Sequence, residues 1–349
     1  MVTVKVGDMF QSKAQTWVNP VNCVGVMGKG VALEFKRRFP DMYEDYVRRC
    51  RAGEVKLGRP YLYKRVDTPW ILNFPTKDDW RSVSRLDMIE EGLRSLEEQY
   101  REWGIASLAV PALGCGHGQL EWRVVGLTIY RYLQRLNIPV EIYAPFETPR
   151  IAPGWIAVVQ ILEYLEREPC YPPVDRTSIQ QIAYFASESG IPVDLRFEKG
   201  SDGPHTEEVQ QKIAALVNNG LIREERLGSV VAVRVGPTFL DARRAYEGDI
   251  TTWGAAIERI VDLFMRMNIQ RAAVAATVHY AAQELQRKQG RVPAETAIVQ
   301  AVMEWTGRRH PPLDPIEVAM TTRNLNLLGW IRAMPSEDLP VSDEEGVYA

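Results

Sequence analysis

The chain has 349 residues, 46% of them apolar and 25% charged, and its 42 Lys and Arg against 45 Asp and Glu leave a formal net charge of −3. Such a balance excludes disordered, fibrous and collagen-like classes and indicates a soluble globular protein long enough for two domains. No apolar run reaches the roughly 18 residues that a bilayer span requires, because the best candidate, around Ala272–Ala282, is interrupted by His279 and Tyr280; no membrane partner is expected.

In chain order, the opening segment MVTVKVGDMFQSK lacks the charged, apolar and small-residue regions of a secretory signal. The runs VTVKV, TWVNPVNCVG, YLYKR, WILNFP, SLAVPAL and VEIYAP read as strands. Between them, helical patterns cover Gly30–Phe39, Met42–Ala52, Leu86–Trp103 and Trp122–Leu136. In the longest, Leu86, Ile89, Leu93, Leu96 and Tyr100 recur at three- and four-residue spacing, and Gly104 stands where a terminating glycine belongs. Strands interleaved with helices predict an α/β layered domain over residues 1–150 with a mixed, partly parallel sheet.

Prolines and a glycine cluster at Pro145–Pro153, the expected domain boundary. A short helix, Ile156–Arg167, precedes a second break at EPCYPPVDR. From Thr177 the pattern turns helical: TSIQQIAYFASESG and GPHTEEVQQKIAALVNNG read as two amphipathic helices, and LIREERLGSVVAVRV as two strands around Leu227–Gly228–Ser229. Helix, helix, hairpin is the order of a winged-helix unit, placed at 177–236 within a mainly helical second domain of residues 151–335. Further helices are expected over Ala255–Gln289, Ala294–Trp305 and Pro315–Ile331, and residues 336–349 form an acidic tail read as disordered. The four cysteines (Cys23, Cys50, Cys115 and Cys170) lie far apart without C-x-x-C spacing, so neither a disulfide framework nor a zinc site is indicated, and a reduced, cytoplasmic setting is expected.

Two segments carry the strongest chemical signal. In NPVNCVGVMGKGVALEFKRRFP a strand leads through Gly25, Gly28 and Gly30 into a helix; in LAVPALGCGHGQLEW another leads through Gly114, Gly116 and Gly118. Glycine turns between a strand end and a helix start expose backbone N–H groups to a phosphate, and two in one domain suggest a pyrophosphate held from both sides. A dinucleotide-binding Rossmann motif fails because the third glycine position is Leu33, and a P-loop fails because GKG replaces G-K-[ST].

With GDMF, WVNPVNCVGVMGKGVAL and PALGCGHGQLEW in place, residues 1–147 resemble a macrodomain, the three-layer α/β/α fold that binds ADP-ribose. The combination of MGKGVALEFKRRFP with NFPTKDDWR is similar to the terminal ADP-ribose glycohydrolase branch, and within it to the DarG antitoxins that remove ADP-ribose from thymidine in DNA. The resemblance implies an ADP-ribosyl-DNA hydrolase whose ligand is ADP-ribose, working without a metal or other cofactor. It places Asp8 at the adenine amino group, with Met9 beside it, and Asn22 near the distal ribose. It places the diphosphate between Val26, Gly28, Lys29, Gly30 and Val31 on one side and Gly114, Cys115, Gly116, His117 and Gly118 on the other, with Thr76 below.

Lys77 is the implied nucleophile toward C1″ of the distal ribose. It must be neutral to attack, which burial or a nearby cation such as Arg81 favours and Asp78 and Asp79 oppose. Read without the family, Lys77 is a solvated lysine in KDDWR, Asp8 a turn residue and Asn22 an Asx turn. One departure stands out: the protein-directed enzymes carry an aspartate two residues after GCG, where this chain has Gly118. That leaves His117, with an ordinary pKa near neutrality, as the candidate acid or as a structural loop residue. Trp80, Arg81 and Arg85 offer an aromatic face and cations to single-stranded DNA beside the lysine.

Residues 1–150 hold 22 Lys and Arg against 18 Asp and Glu, a balance of +4, whereas residues 151–349 hold 20 against 27, a balance of −7. IQQIAYFASESG…GPHTEEVQQKIAALVNNGLI weakly resembles SocA-like antitoxin-associated domains. The acidic half suits binding to the cognate DNA-ADP-ribosyltransferase toxin (DarT-like), occupying its cationic DNA site; an ordinary solubilising surface is the plain alternative. A non-catalytic ADP-ribose reader and a winged-helix DNA-binding regulator are the other readings. His205, His279 and His310 are isolated and form no metal cluster in the sequence.

Overall fold

The computed structural model describes residues 1–349 except 146–150, 202, 229, 308–310 and 341–349. Much of the expected boundary, His310 and most of the acidic tail therefore lie outside the described residues. Spatial grouping divides the chain into two units. The first is Met1–Ala152 together with Ala214–Arg223 and Val235–Glu247; the second is Pro153–Ile213, Glu224–Arg234 and Gly248–Ala349.

The first unit alternates strands and helices: β1 (Val2–Lys5), a 3-10 turn at Met9–Gln11, β2 (Thr16–Val21), α1 (Gly30–Arg38), α2 (Pro40–Arg51), β3 (Tyr61–Tyr63), β4 (Trp70–Pro75), α3 (Leu86–Gln99), β5 (Leu108–Pro111), α4 (Trp122–Leu133) and β6 (Val140–Tyr143). The six strands form one sheet in the order β1-β6-β5-β2-β4-β3. Every pairing is parallel except β3 with β4. α3 is shorter than its periodicity predicts: it stops at Gln99, and a looser turn runs on to Gly104, whose φ of +71° closes it.

The two-residue period of the strands sorts side chains onto two faces. Trp17, Val21, Ile71 and Ala109 face one way into a cluster with Phe35, Phe39, Met42 and Tyr46 from α1 and α2. Phe74 faces the other way, against α3, where a Cβ on Gly92 would stand 2.4 Å from Phe74 Cζ, so only glycine permits this approach. Helices thus cover both faces of a mixed sheet. Inside it, the aligned Asn19 and Asn73 meet side chain to side chain, Asn19 Nδ2 donating to Asn73 Oδ1 at 2.8 Å.

The second half continues with α5 (Pro153–Arg167), α6 (Arg176–Glu188), β7 (Glu198–Gly200), β8 (Gly203–His205), α7 (Glu208–Asn218), β9 (Ile222–Leu227), β10 (Val230–Val235), α8 (Phe239–Ala245), α9 (Glu247–Thr252), α10 (Gly254–Met265), α11 (Ile269–Gln289), α12 (Glu295–Trp305) and α13 (Pro315–Leu327). α5 buries an unbroken run from Gly154 to Leu162, so it is the central helix of the second unit. A Cβ on Gly154 would stand 2.2 Å from Pro192 O, and Trp155 Nε1 donates to Val193 O at 3.0 Å.

One expectation fails here. The helix read from GPHTEE begins only at Glu208, because Gly203, at φ +125°, and His205 pair with Gly200 and Glu198 in a hairpin. Helices fill Ala255–Gln289 as expected and divide at Asn268, which caps a new start: its side chain accepts from Arg271 N at 2.9 Å. The described part of the tail is anchored, Ser336 N donating to the buried Glu295 at 3.1 Å with Leu339 buried. Among the described residues no helix is long and apolar enough to cross a membrane.

Candidate functional site

Parallel strands end on the same side of a sheet, so the loops that follow β2, β4 and β5, neighbours in the order β5-β2-β4, emerge together. These are the first glycine loop, the lysine loop and the second glycine loop. The turn that carries Asp8 follows β1, which runs parallel to β6, and so leaves the sheet at the same end.

The first glycine loop is braced from within. Asn22, 5% exposed, donates from Nδ2 to Val26 O at 2.6 Å, while its Oδ1 accepts from Val24 N at 3.0 Å and from Val26 N at 3.3 Å. Tyr46 of α2 adds a third bond to that oxygen, at 2.9 Å, and reaches Asn22 O at the same distance. Asn22 therefore shapes the loop; its amide is engaged with the chain itself. Gly25 and Gly30 adopt φ +82° and +58°. Gly28, Lys29 and Gly30 are exposed where α1 begins, with Met27 buried beneath, and no side chain caps the helix at Lys29. The first-turn N–H groups of α1 thus face outward without a capping acceptor, a setting that suits an anion.

The second glycine loop separates packing glycines from an open one. A Cβ on Gly114, at φ +74°, would stand 2.7 Å from Ile89 Cδ1 and from Leu120 Cδ1. A Cβ on Gly118 would stand 2.3 Å from Ser84 Oγ and 2.4 Å from Gly114 O. Gly116 is exposed, with nothing near its missing Cβ. Cys115 is buried, and His117 is exposed with its ring against the first loop: a Cβ on Gly30 would lie 3.5 Å from His117 Cδ2. The two loops therefore close on each other at Gly30 and His117.

Lys77 sits between them. Its Nζ donates to Trp80 O at 3.3 Å, Ser82 O at 3.2 Å and His117 O at 3.2 Å, matching the three protons of an ammonium to three carbonyls. Burial pushes its pKa below the ordinary lysine value, and the charge of Asp79 works against that. The loop is tied down on the first-loop side by Cys23 N donating to Asp78 O at 2.9 Å and Thr76 N to Val21 O at 2.9 Å, and on the second-loop side by Ser84 N donating to Gly118 O at 2.9 Å. Asp79 Oδ1 accepts from Arg81 N at 2.9 Å, and Ser82 hydrogen-bonds the Asp78 carboxylate and holds its pKa below the ordinary value.

The remaining residues divide. Trp80 is half exposed, with the Arg81 guanidinium 5.0 Å from its ring centroid. Arg85 instead forms a two-pronged pair with Asp87 at the start of α3. Asp8 caps the 3-10 turn, Oδ1 accepting from Phe10 N at 3.0 Å, and Met9 is buried under it. Both readings of Asp8 coexist, since a capping carboxylate that remains exposed keeps a second oxygen for a ligand.

Comparison with known proteins shows the family. A Macro domain family model matches residues 18–127. A DNA ADP-ribosyl glycohydrolase of Thermus aquaticus is 33% identical over 292 residues, covering 79% of this chain and 81% of the relative. The chain belongs to the DNA ADP-ribosyl glycohydrolase family. A DNA ADP-ribosyl transferase–DNA ADP-ribosyl glycohydrolase fusion protein of Thermosipho africanus is 47% identical over 159 residues, 40% of this chain and 41% of that one. The solved macrodomain of Mycobacterium tuberculosis DarG is 44% identical, covers 42% of this chain and 98% of that chain, and has a TM-score of 0.40. As a DNA ADP-ribosyl glycohydrolase family member, the protein is an ADP-ribosyl hydrolase built on a macrodomain with a largely helical remainder.

Tyr46 and Ser84 escape sequence reasoning in this family member. Tyr46 falls four residues after Met42 on the apolar stripe of α2 and reads as core, which it also is; only its hydroxyl reaches the loop. Ser84 reads as a loop serine, yet it is buried and its backbone joins the two loops. No spacing signal marks either one.

Proposed function

We propose that this enzyme removes ADP-ribose from thymidine in single-stranded DNA, with Lys77 as nucleophile, and that its second half binds and inhibits a DarT-like transferase. The observation that carries the catalytic reading is the position of Lys77 Nζ, held among carbonyls of the lysine loop and the second glycine loop beside the Gly30–His117 contact.

On this reading Asp8 accepts from the adenine amino group, with Met9 packing beneath. The diphosphate lies between Val26, Gly28, Lys29, Gly30 and Val31 and the Gly114–Gly118 backbone, while Asn22 and Thr76 hold the loop roots. The distal ribose then displaces solvent and carbonyls from Lys77, and the added burial favours the neutral amine. Its lone pair forms a bond to C1″, the bond from C1″ to the thymine ring nitrogen breaks, and the electron pair leaves on the delocalised thymine anion. The proton shed by Nζ balances that anion, delivered directly or through His117. The second Nζ proton passes to the ribose ring oxygen as its bond to C1″ breaks, leaving an opened-ribose Schiff base between Nζ and C1″; water then adds at C1″ and the lysyl bond breaks, releasing ADP-ribose and regenerating the amine.

An aspartate at position 118 has no part in this scheme, since a Cβ there would meet Ser84 and the Gly114 backbone. Trp80 and Arg81 offer a stacking face and a cation to the strand that bears the modification. Single-turnover hydrolysis of a thymidine-ADP-ribosylated oligonucleotide tests the scheme: Lys77→Ala abolishes release of ADP-ribose, and borohydride traps a lysyl adduct on the wild type alone. Turnover that survives the substitution removes Lys77 as nucleophile.

The antitoxin reading is supported by the Thermosipho relative, a fusion protein of a transferase and a glycohydrolase, and by the balance of −7 in residues 151–349. Titration of the cognate transferase with this protein against fluorescent DNA is its test. Loss of DNA binding by the transferase supports occupation of its DNA site; a ternary complex that retains DNA rejects it.

A further inference from the structure

We propose that the turn Asn219–Gly220, contributed by the second half of the chain, is a positioning element for hydrolysis that braces the roots of both reactive loops from behind. Asn219 is 1% exposed, and its Oδ1 accepts from Glu121 N at 2.7 Å. Its Nδ2 donates to Ala215 O at 2.8 Å, and its own carbonyl accepts from Thr238 Oγ1 at 2.9 Å. The side chain is therefore fixed at both ends, and it reaches outside its own segment to the N-cap residue of α4.

That residue directly follows the second glycine loop, which closes through Leu120 N donating to Gly114 O at 3.0 Å. The adjoining Gly220, at φ +69°, packs on the other root. A Cβ there would stand 3.3 Å from Leu86 Cδ2, at the first residue of α3 immediately after the lysine loop. A third contact joins the roots themselves, Ser84 N donating to Gly118 O at 2.9 Å. The turn is in turn anchored through α8, whose Asp241 takes a two-pronged bond from Arg131 of α4 at 2.7 and 3.0 Å, with Arg123 over the Tyr246 ring at 5.4 Å.

A loop positioned to within fractions of an ångström depends on the group that fixes its root, and small displacements there reduce rate more than affinity. Free ADP-ribose is gripped by several loop amides and tolerates a shift; the reacting atoms do not. The inference rests on hydrolysis taking place at these loops, whichever residue is the nucleophile.

The test uses the full chain, single-turnover release of ADP-ribose from a thymidine-ADP-ribosylated oligonucleotide, calorimetric binding of free ADP-ribose, and thermal unfolding, with Lys77→Ala run alongside. Asn219→Ala, which removes the acceptor for Glu121 N, lowers the rate at least tenfold while ADP-ribose affinity stays within threefold. Asn219→Asp keeps that acceptor and loses the donor to Ala215, so it retains a rate within threefold of wild type although its unfolding midpoint falls. Gly220→Ala, whose Cβ would meet Leu86 Cδ2 and Thr238 Cγ2 alike at 3.3 Å, also lowers the rate. The proposal is overturned by an Asn219→Ala rate within twofold of wild type. It is also overturned if rate, affinity and unfolding midpoint fall in step in both Asn219 variants, which marks the turn as structural only. Loss of activity in the brace variants with full activity in Lys77→Ala separates failure of the nucleophile reading from failure of this one.

Discussion

Lys77 and His117 are 40 residues apart in sequence and joined by a hydrogen bond from the lysine Nζ to the histidine main-chain oxygen at 3.2 Å. The bond uses the backbone of His117, leaving its ring free to lie against Gly30. One residue of the second glycine loop thereby meets both the Lys77 amine and the first loop, and the two contacts of His117 are separable by mutation.

His117→Ala is accordingly expected to keep the Lys77 contact and the thermal stability of the wild type. If the ring carries a proton to the departing thymine, kcat falls by roughly a hundred- to ten-thousandfold, the range of general acid catalysis. An unchanged kcat assigns His117 to loop structure.

With Lys77 as the proposed nucleophile, the pH dependence of hydrolysis is expected to follow its amine. Burial lowers its pKa and Asp79 raises it, and only the neutral amine attacks, so the rate rises with pH through the lysine's own value and then levels. Asp79→Asn keeps an acceptor for Arg81 N but removes the anion that favours the ammonium. The rising limb of a single-turnover profile then moves to lower pH; a shift to higher pH contradicts the assignment.

Gly118→Asp introduces the acid that protein-directed relatives carry, yet it is expected to lose activity. Its Cβ would stand 2.3 Å from Ser84 Oγ and 2.4 Å from Gly114 O, and such overpacking costs about 1–3 kcal/mol. Adding Ser84→Gly removes only the first clash, so denaturant unfolding of the double variant should recover part of the loss and the hydrolysis rate little of it.

Tyr46→Phe tests the brace on the first loop. It deletes the hydroxyl that donates to Asn22 at 2.9 Å, with an expected stability loss of about 1 kcal/mol. ADP-ribose affinity measured by calorimetry should weaken several-fold, because Asn22 then holds Val24 and Val26 without its third partner.

Trp80 and Arg81 should matter to DNA and not to the nucleotide. Trp80→Ala is expected to weaken binding of a modified single strand by about 1–3 kcal/mol, and Arg81→Ala to flatten the salt dependence by about one phosphate contact, while free ADP-ribose binds as before. Arg85→Ala should have the smaller effect, since Arg85 is already engaged by Asp87. Fluorescence anisotropy across a salt series distinguishes the three.

The local elements were readable from the sequence because each rests on short-range physics. The three- and four-residue spacing of Leu86, Ile89, Leu93 and Leu96 makes α3 wherever its apolar face is buried. Glycines between strand ends and helix starts make Gly25, Gly30 and Gly114 left-handed turns. The failure at Gly203–His205 has a tertiary cause: the segment pairs with a neighbouring strand, a choice that a local pattern leaves open.

What only the tertiary structure decided is which residues of separate motifs meet. Parallel strand order brings three loops to one edge of the sheet. It gives Lys77 acceptors in two loops, puts the His117 ring on Gly30 and denies position 118 any side chain. Composition and spacing fix what each residue can do chemically. Contacts between residues tens of positions apart depend on strand order and packing, and these determine which of those capacities the protein can use.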